Sequence, residues 1–503
     1  MAAPLALALY AVLLLAAAAA VWRRPARALY LFVLGLALHN ALGAALYGAG
    51  VRGASLTAIE AWKEILLAVA LARLALDAAR ERRLPFTPGV VDALALAFGA
   101  LVVVYGLVPQ SALGGHAGHK AVLLGLKHDL IPVGAYFLGR SLSLGRADLR
   151  RLGWTIAGAA AAVAAIGLVE VYAVPIGWWR SSSVPDYFRK QLGYDYHGTG
   201  GLPENFVYNT GSESHFLRRL VSVFLSPLAT SYMLVVALLV SAAVAGLRRR
   251  VRLLGALAAI SVAGLLWTFS RASVAALVVG LCVLAVVRRR AWLVAAAVAT
   301  AAVGVGFAHV FTSIAPEGHW TKADLVYQRE RAKQKPGASG QALSINESSV
   351  HSHLENLKAG LRTDFHHPQG YGVGNVGQTA SRTGVPLKAG ESNYTEIAAE
   401  TGLLGALLWI AWGLALLAAL VIAARRAGEP ERRAFAAGLA AAVAAALALA
   451  IQTDVIGDPW IAYCLWGLGG VVAAPLALRY AASTSRFPEG SRTVSPSGAS
   501  SGS

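Results

Sequence analysis

Apolar stretches of about 17–25 residues recur along the chain, separated by short polar connections. About 20 apolar residues suffice for a helix to cross the hydrocarbon core of a bilayer. The pattern predicts thirteen spans, at roughly 5–22, 26–47, 56–77, 89–108, 119–139, 152–174, 220–246, 252–268, 271–287, 292–311, 395–423, 434–453 and 459–479. Two longer polar stretches interrupt the series, at about 175–219 and 312–394. The expected fold is an all-α polytopic membrane protein of about 12–13 transmembrane helices with a large, partly helical extracytoplasmic loop. Residues 1–174 form its N-terminal membrane part, 175–219 an outer loop and 220–311 the central spans. Residues 312–394 form the large outer loop and 395–480 the C-terminal spans. The tail, 481–503, is rich in Ser, Gly and Pro and is expected to be disordered. No small-residue cleavage site follows the first apolar run, so 5–22 reads as a retained helix. No internal repeat is visible.

Composition agrees. Of 503 residues, 57% are hydrophobic and 14% charged, which excludes a soluble globular class. Cys282 and Cys464 lie in apolar runs, so no disulfide framework organises the chain. A net charge of +18 invites a nucleic-acid reading, but the arginines occupy alternate short connections between apolar runs. These hold Arg23, Arg24 and Arg27; Arg80, Arg82 and Arg83; Arg140, Arg146, Arg150 and Arg151; Arg248, Arg249, Arg250 and Arg252; Arg288, Arg289 and Arg290; and Arg425, Arg426, Arg432 and Arg433. Arg479, Arg486 and Arg492 follow the last span. The charge is therefore a topology signal and nucleic acid is rejected as a partner. By the positive-inside rule these connections are cytoplasmic, the N-terminus and both long loops are outside, and the C-terminus is inside. The alanine runs 16–20 and 440–446 read as close-packing helix surfaces.

The chemistry concentrates between His351 and Leu404. Residues 322–335 suit a surface helix, and a second begins near Asn346, with Val350, Leu354, Leu357 and Leu361 as its apolar seam. His351, Glu355, Lys358 and Arg362 fall on a neighbouring face, and His367-Pro368 ends the helix. Gly372, Gly374 and Gly377 spell the dinucleotide fingerprint, yet no βαβ unit surrounds them. A tight turn whose amides can approach a ligand is expected instead. His351, His353, His366 and His367 lack the spacing of a helical zinc site and have no cysteine nearby. They are expected to face water or a sugar, with no metal and no cofactor.

Charges inside apolar runs are costly and usually functional. Glu60, Lys63 and Glu64 are spaced to pair with one another, and Lys127, His128 and Asp129 share one span. Each cluster is read as either a structural ion pair or a substrate contact. Lys127 is the favoured substrate contact because no acid lies one turn away. Asp454 and Asp458 read as solvated loop acids. Arg218 and Arg219 at the outer mouth of the seventh span, and Arg271 in a tight outer turn, run against the charge rule. They suit a lipid-linked phosphate or diphosphate, which Arg binds bidentately, or else snorkel to the headgroups.

Four stretches together resemble the O-antigen ligase and O-antigen polymerase superfamily of bacterial membrane glycosyltransferases. They are Arg219-Leu-Val-Ser-Val-Phe-Leu-Ser-Pro227, Trp267-Thr-Phe-Ser-Arg271-Ala-Ser273, His367-Pro-Gln-Gly-Tyr-Gly372-Val-Gly374 and Glu391-Ser-Asn-Tyr394-Thr-Glu-Ile-Ala-Ala-Glu400-Thr-Gly402. Ligases of the family carry a His where Glu391 stands, and Glu there is closer to the polymerase branch. His353 lies where members often carry a basic residue. The resemblance implies a GT-C-like fold and an inverting, metal-independent transfer at the outer face of the bacterial cytoplasmic membrane. The donor would be a glycan on a polyprenyl diphosphate, and the acceptor another lipid-linked repeat unit or, for a ligase, a lipid core or protein. Glu391 is then the expected base and Arg219 and Arg271 the diphosphate ligands. Lys127, Arg218, His351, His353, His367, Gly372 and Tyr394 are candidate substrate contacts. Donor and acceptor glycolipids, the bilayer and other polysaccharide-assembly proteins are the candidate partners. The alternative from another class is a lipid-linked oligosaccharide transporter, whose matched midplane helix breaks are not visible.

Overall fold

The computed structural model describes residues 2–194, 202–203, 205–210, 212, 214–245, 251–326, 329, 348–386 and 391–473. The tail 481–503 and most of the surface helix expected at 322–335 lie outside the described residues. The described residues are 78% helical, and the chain is a multi-pass membrane protein with ten described helices long and apolar enough to cross a bilayer.

These are α1 (Ala2–Arg23), α2 (Arg27–Gly48), α5 (Val90–Leu107), α6 (His119–Arg140), α7 (Arg146–Ala173), α8 (Pro227–Val244), α10 (Arg271–Arg288), α11 (Ala291–Ile314), α13 (Asn393–Arg426) and α14 (Pro430–Leu449). Two shorter apolar helices, α9 (Val251–Trp267) and α15 (Ile461–Val472), match two further expected spans. The expected third span is two helices, α3 (Ala54–Glu60) and α4 (Trp62–Glu81). The second carries Lys63, Glu64, Arg73, Asp77, Arg80 and Glu81, too polar for a simple lipid-facing span. In the large loop, α12 (Ser348–His366) ends before His367-Pro368 as expected.

The centre is α8, buried almost all round between α7, α10 and α14. It starts at Ser226, whose hydroxyl accepts the Ala229 amide, followed by Pro227 at the first helical position. Its neighbour α14 buries Ala440–Ala445, and a Cβ on Gly438 would come within 2.8 Å of the Val240 backbone. That alanine run is the close-packing surface expected. The run at 16–20 is not: α1 is mostly exposed, and its alanines face outward or sit half-buried.

The two ends of the bundle differ in chemistry. At one end the Arg-rich connections meet one another, through Arg24–Asp148 at 2.9 Å and Arg146–Glu429 at 3.0 Å. At the other end the two long loops join. Strands β1 (Val207–Tyr208), β2 (His215–Arg218) and β3 (Glu317–His319) form an antiparallel sheet in the order β1-β2-β3, with Val207 opposite Arg218 and Leu217 opposite Glu317. This small sheet lies in the loops and leaves the fold class all-α, as expected. Its strands are too short to show an alternating pattern, and pairing across the loops holds them, with Arg180 on Asp324 at 2.7 Å beside it.

Candidate active site at the entry to α13

The entry to α13 is fastened to the connection between α14 and α15. The Ser392 hydroxyl and the Asn393 amide both donate to the Ala450 carbonyl, at 3.1 and 3.0 Å. The Asn393 side chain donates to Asp454 at 3.1 Å. Ser392 is therefore turned away from capping the helix, although it stands at the N-cap. Glu391, half exposed just before this anchor, meets His353 of α12 with a carboxylate oxygen 2.6 Å from Nδ1. The contact joins a base candidate to an imidazole 38 residues earlier in the chain. His351 lies exposed on a different face of the same helix, and Glu355 pairs with Lys358 at 3.0 Å.

Arg219 and Arg271 converge on one turn. The backbone amide of Leu220 donates to the Trp267 carbonyl at 3.0 Å, which lays the chain entering α8 against the end of α9. Arg219 is buried and donates from Nε to the Thr268 carbonyl at 2.8 Å and from Nη1 to Asn205 at 3.3 Å. Arg271 begins α10 three residues later, its guanidinium 5.8 Å from the Phe269 ring centroid. Elsewhere on α8, the Tyr232 hydroxyl donates to Thr453 at 3.5 Å, beside Asp454. Through Tyr232, α8 thus reaches the α14–α15 connection that anchors the α13 entry.

Arg218 points elsewhere. It is buried on Glu170 at 2.6 Å and on the carbonyls of Val171 and Val174, so its donors are taken up by α7. Lys127 also has a partner that its own helix does not supply: Glu64 of α4 lies 2.6 Å away. Lys127 is therefore neutralised by an acid on another helix, contrary to the expectation from its own helix alone. Lys63 sits 3.6 Å from Glu64 but donates to the Glu60 carbonyl, while the Glu60 carboxylate accepts the Tyr187 hydroxyl at 2.6 Å. Tyr394 donates to the Leu447 carbonyl at 2.7 Å.

The His-Pro-Gly segment is a plug in α13. That helix breaks at Gly402, with φ 73°. The break leaves helix carbonyls without their usual donors, and the segment supplies replacements. The Tyr371 amide donates to Ala399, Gly372 to the Glu400 carbonyl, and Gly374 to the Glu400 carboxylate at 2.8 Å. The turn is as tight as expected, but these amides serve α13 and not a ligand. Gly372 has φ +94°, and a Cβ there would collide with Gln110. His367 stacks on Tyr371 at 3.9 Å and bonds the Leu113 carbonyl through Nε2.

Below the plug lies a small cavity lined by His128, Asp129, Glu396, Glu400 and Asp454 among others. His128 contacts Asp129 through Nδ1 at 2.7 Å and Asp454 through Nε2 at 3.0 Å. Asp454 is therefore buried in a polar network and is not a solvated loop acid. Asp458 is held by burial near a value of about 7, and accepts the Ile461 amide at 3.0 Å. Sequence reasoning passed over Glu396 and Glu400, although two acids one turn apart at the start of an apolar run are a functional signal. Among the described residues no group of three or more His, Cys, Asp or Glu side chains is arranged to hold a metal ion.

Comparison with protein-family models and with curated proteins gives no match for this chain.

Proposed function

We propose that this chain is a GT-C-like membrane glycosyltransferase that polymerises polyprenyl-diphosphate-linked oligosaccharide repeat units at the outer face of the bacterial cytoplasmic membrane. The observation that carries the reading is the 2.6 Å contact of Glu391 with His353, at a helix entry anchored on Asp454. A carboxylate and an imidazole in contact form a proton-accepting unit of the kind used in general-base catalysis. The acceptor hydroxyl gives its proton to this unit as its oxygen bonds to the anomeric carbon. The bond from that carbon to the diphosphate oxygen breaks, and the lipid diphosphate leaves with the electron pair, its charge balanced by Arg219 and Arg271. One displacement inverts the anomeric centre. Nothing in this scheme calls for a second carboxylate on the opposite face, unlike glycoside hydrolysis. Partners on this reading are the donor and acceptor glycolipids, the bilayer and other polysaccharide-assembly proteins.

His353 also favours a second reading. It brings an imidazole to the place where ligases of the resembling family carry their His, which suits transfer to a lipid core or a protein. Purified protein in liposomes with lipid-linked repeat units separates the two. Chain growth supports the polymerase, and transfer to a core lipid or protein supports the ligase. Neither product sinks both and leaves the transporter. Within either reaction, Glu391→Gln should keep donor binding while turnover falls by about 10²–10⁴, the usual worth of a general base. Turnover within a few-fold of wild type removes Glu391 from the mechanism.

A further inference from the structure

Helix α12 presents three separate faces. At about 100° of advance per residue, His353, Gly360 and Asp364 share one narrow arc. That arc is inward: Gly360 and Asp364 are buried, and a Cβ on Gly360 would lie 2.7 Å from the Thr395 hydroxyl of α13. Roughly a quarter turn away run Leu354, Leu361 and Phe365, which are 43%, 44% and 71% exposed. A further quarter turn carries His351, Glu355, Lys358 and Arg362, all exposed. Leu354 and Leu361 of the apolar seam, with Phe365, therefore do not face protein, while Val350 and Leu357 at its inner edge are half-buried.

We propose that α12 lies along the outer leaflet, with Leu354, Leu361 and Phe365 in the hydrocarbon and the charged arc at the phosphates and water. Three observations select lipid as the occupant. First, the helix end is fastened at the outer ends of spans: the Gln369 carbonyl accepts the Tyr105 hydroxyl in the last turn of α5 at 2.7 Å, and the Leu403 amide donates to Pro368 at 2.9 Å. Second, Leu107 and Leu404 are themselves exposed apolar residues next to these anchors, so the strip continues the lipid-facing surface of the bundle. Third, the order inward face, apolar strip, charged strip is that of a helix leaning on a bundle at an interface, where the apolar side enters the headgroup boundary by about 5–10 Å. A protein partner seated on the strip would also cover Lys358 and Arg362. A leaflet leaves them among phosphates, where cations are favoured. The consequence is positional: His353, one arc inward from the strip, is held at headgroup depth. The inference does not rest on the glycosyltransferase reading.

Single spin labels in proteoliposomes of the full chain test it. Leu354→Cys, Leu361→Cys and Phe365→Cys are compared with Glu355→Cys, Lys358→Cys and Arg362→Cys, each in a background with Cys282→Ala and Cys464→Ala. The three apolar positions should collide with dissolved oxygen more than with a water-soluble nickel chelate, and the three charged positions the reverse. The sign of the difference then alternates around the helix. Nickel access at 354, 361 and 365 equal to that at 358 places the strip in water and overturns the proposal. Protection from both reagents at the apolar positions shows a protein cover, a second copy or a partner, and also overturns it. Six positions make the reading independent of any one variant, and circular dichroism with elution volume screens each for folding.

Discussion

Neighbouring arginines with the same sequence context do different work. Arg218 neutralises the buried Glu170, whereas Arg219 is held through a backbone carbonyl and an amide oxygen. Arg218→Ala leaves a buried carboxylate without its cation, which costs about 3–5 kcal/mol of stability, seen as a large drop in thermal midpoint in detergent. Arg271→Ala should leave the midpoint near wild type and lower turnover by about 10²–10³, the usual loss for one transition-state charge contact. Arg271→Lys recovers little of it, lacking the bidentate fork. The reverse pattern would exchange the two roles. Asp364 is another residue whose setting decides its behaviour. It is buried on the inner face of α12 with Oδ1 unpartnered, and burial lifts its carboxyl from the ordinary 3.8 to about 7. A carboxyl raised in the folded state holds its proton more tightly there than when unfolded. Its contribution to stability is therefore lost progressively as pH rises from about 4 to about 7. Asp364→Asn should raise the midpoint at pH 8 by an amount worth about 1–3 kcal/mol and have little effect near pH 4. An unchanged midpoint at pH 8 would remove the buried-charge penalty from the account.

At the scale of elements, the break in α13 and its plug depend on two glycines that touch. A Cβ on Gly402 would lie 2.7 Å from the Pro368 carbonyl, and one on Gly370 would lie 2.5 Å from the Gly402 amide. Both residues have positive φ. Gly402→Ala should therefore cost about 1–3 kcal/mol from backbone strain alone, with the 367–376 segment becoming sensitive to protease. A resistant segment and an unshifted midpoint would mean that the break relaxes into continuous helix. Helix positions were legible because apolar runs of bilayer length carry a strong signal, and all thirteen expected spans correspond to helices. The break was not legible. Gly402 sits inside an apolar run, and what bends the chain there is a loop more than thirty residues earlier. Asp454 was misread for the same reason, since its partner His128 is 326 positions away. The seam of α12 was read correctly as apolar, but periodicity cannot say whether an apolar stripe meets protein or lipid. Glu391 and His353 were both singled out by position and family likeness, and only the fold shows that they touch.

On the whole-molecule scale, the clustering of Arg-rich connections at one end and paired loops at the other makes the orientation testable. Lys358→Cys should react with an impermeant thiol reagent on intact cells, and Gly428→Cys only after lysis, both with Cys282→Ala. The opposite result inverts the molecule and moves the proposed site to the cytoplasm. The three-stranded sheet has a consequence for how the chain is made. β1 and β2 leave the membrane together, but β3 follows α8, α9, α10 and α11. Until those helices have been inserted, one edge of β2 carries backbone donors and acceptors with no strand beside them. Closing the sheet is thus a checkpoint on insertion. A chain that misplaces any one of the intervening helices delivers β3 to the wrong side and leaves that edge of β2 open.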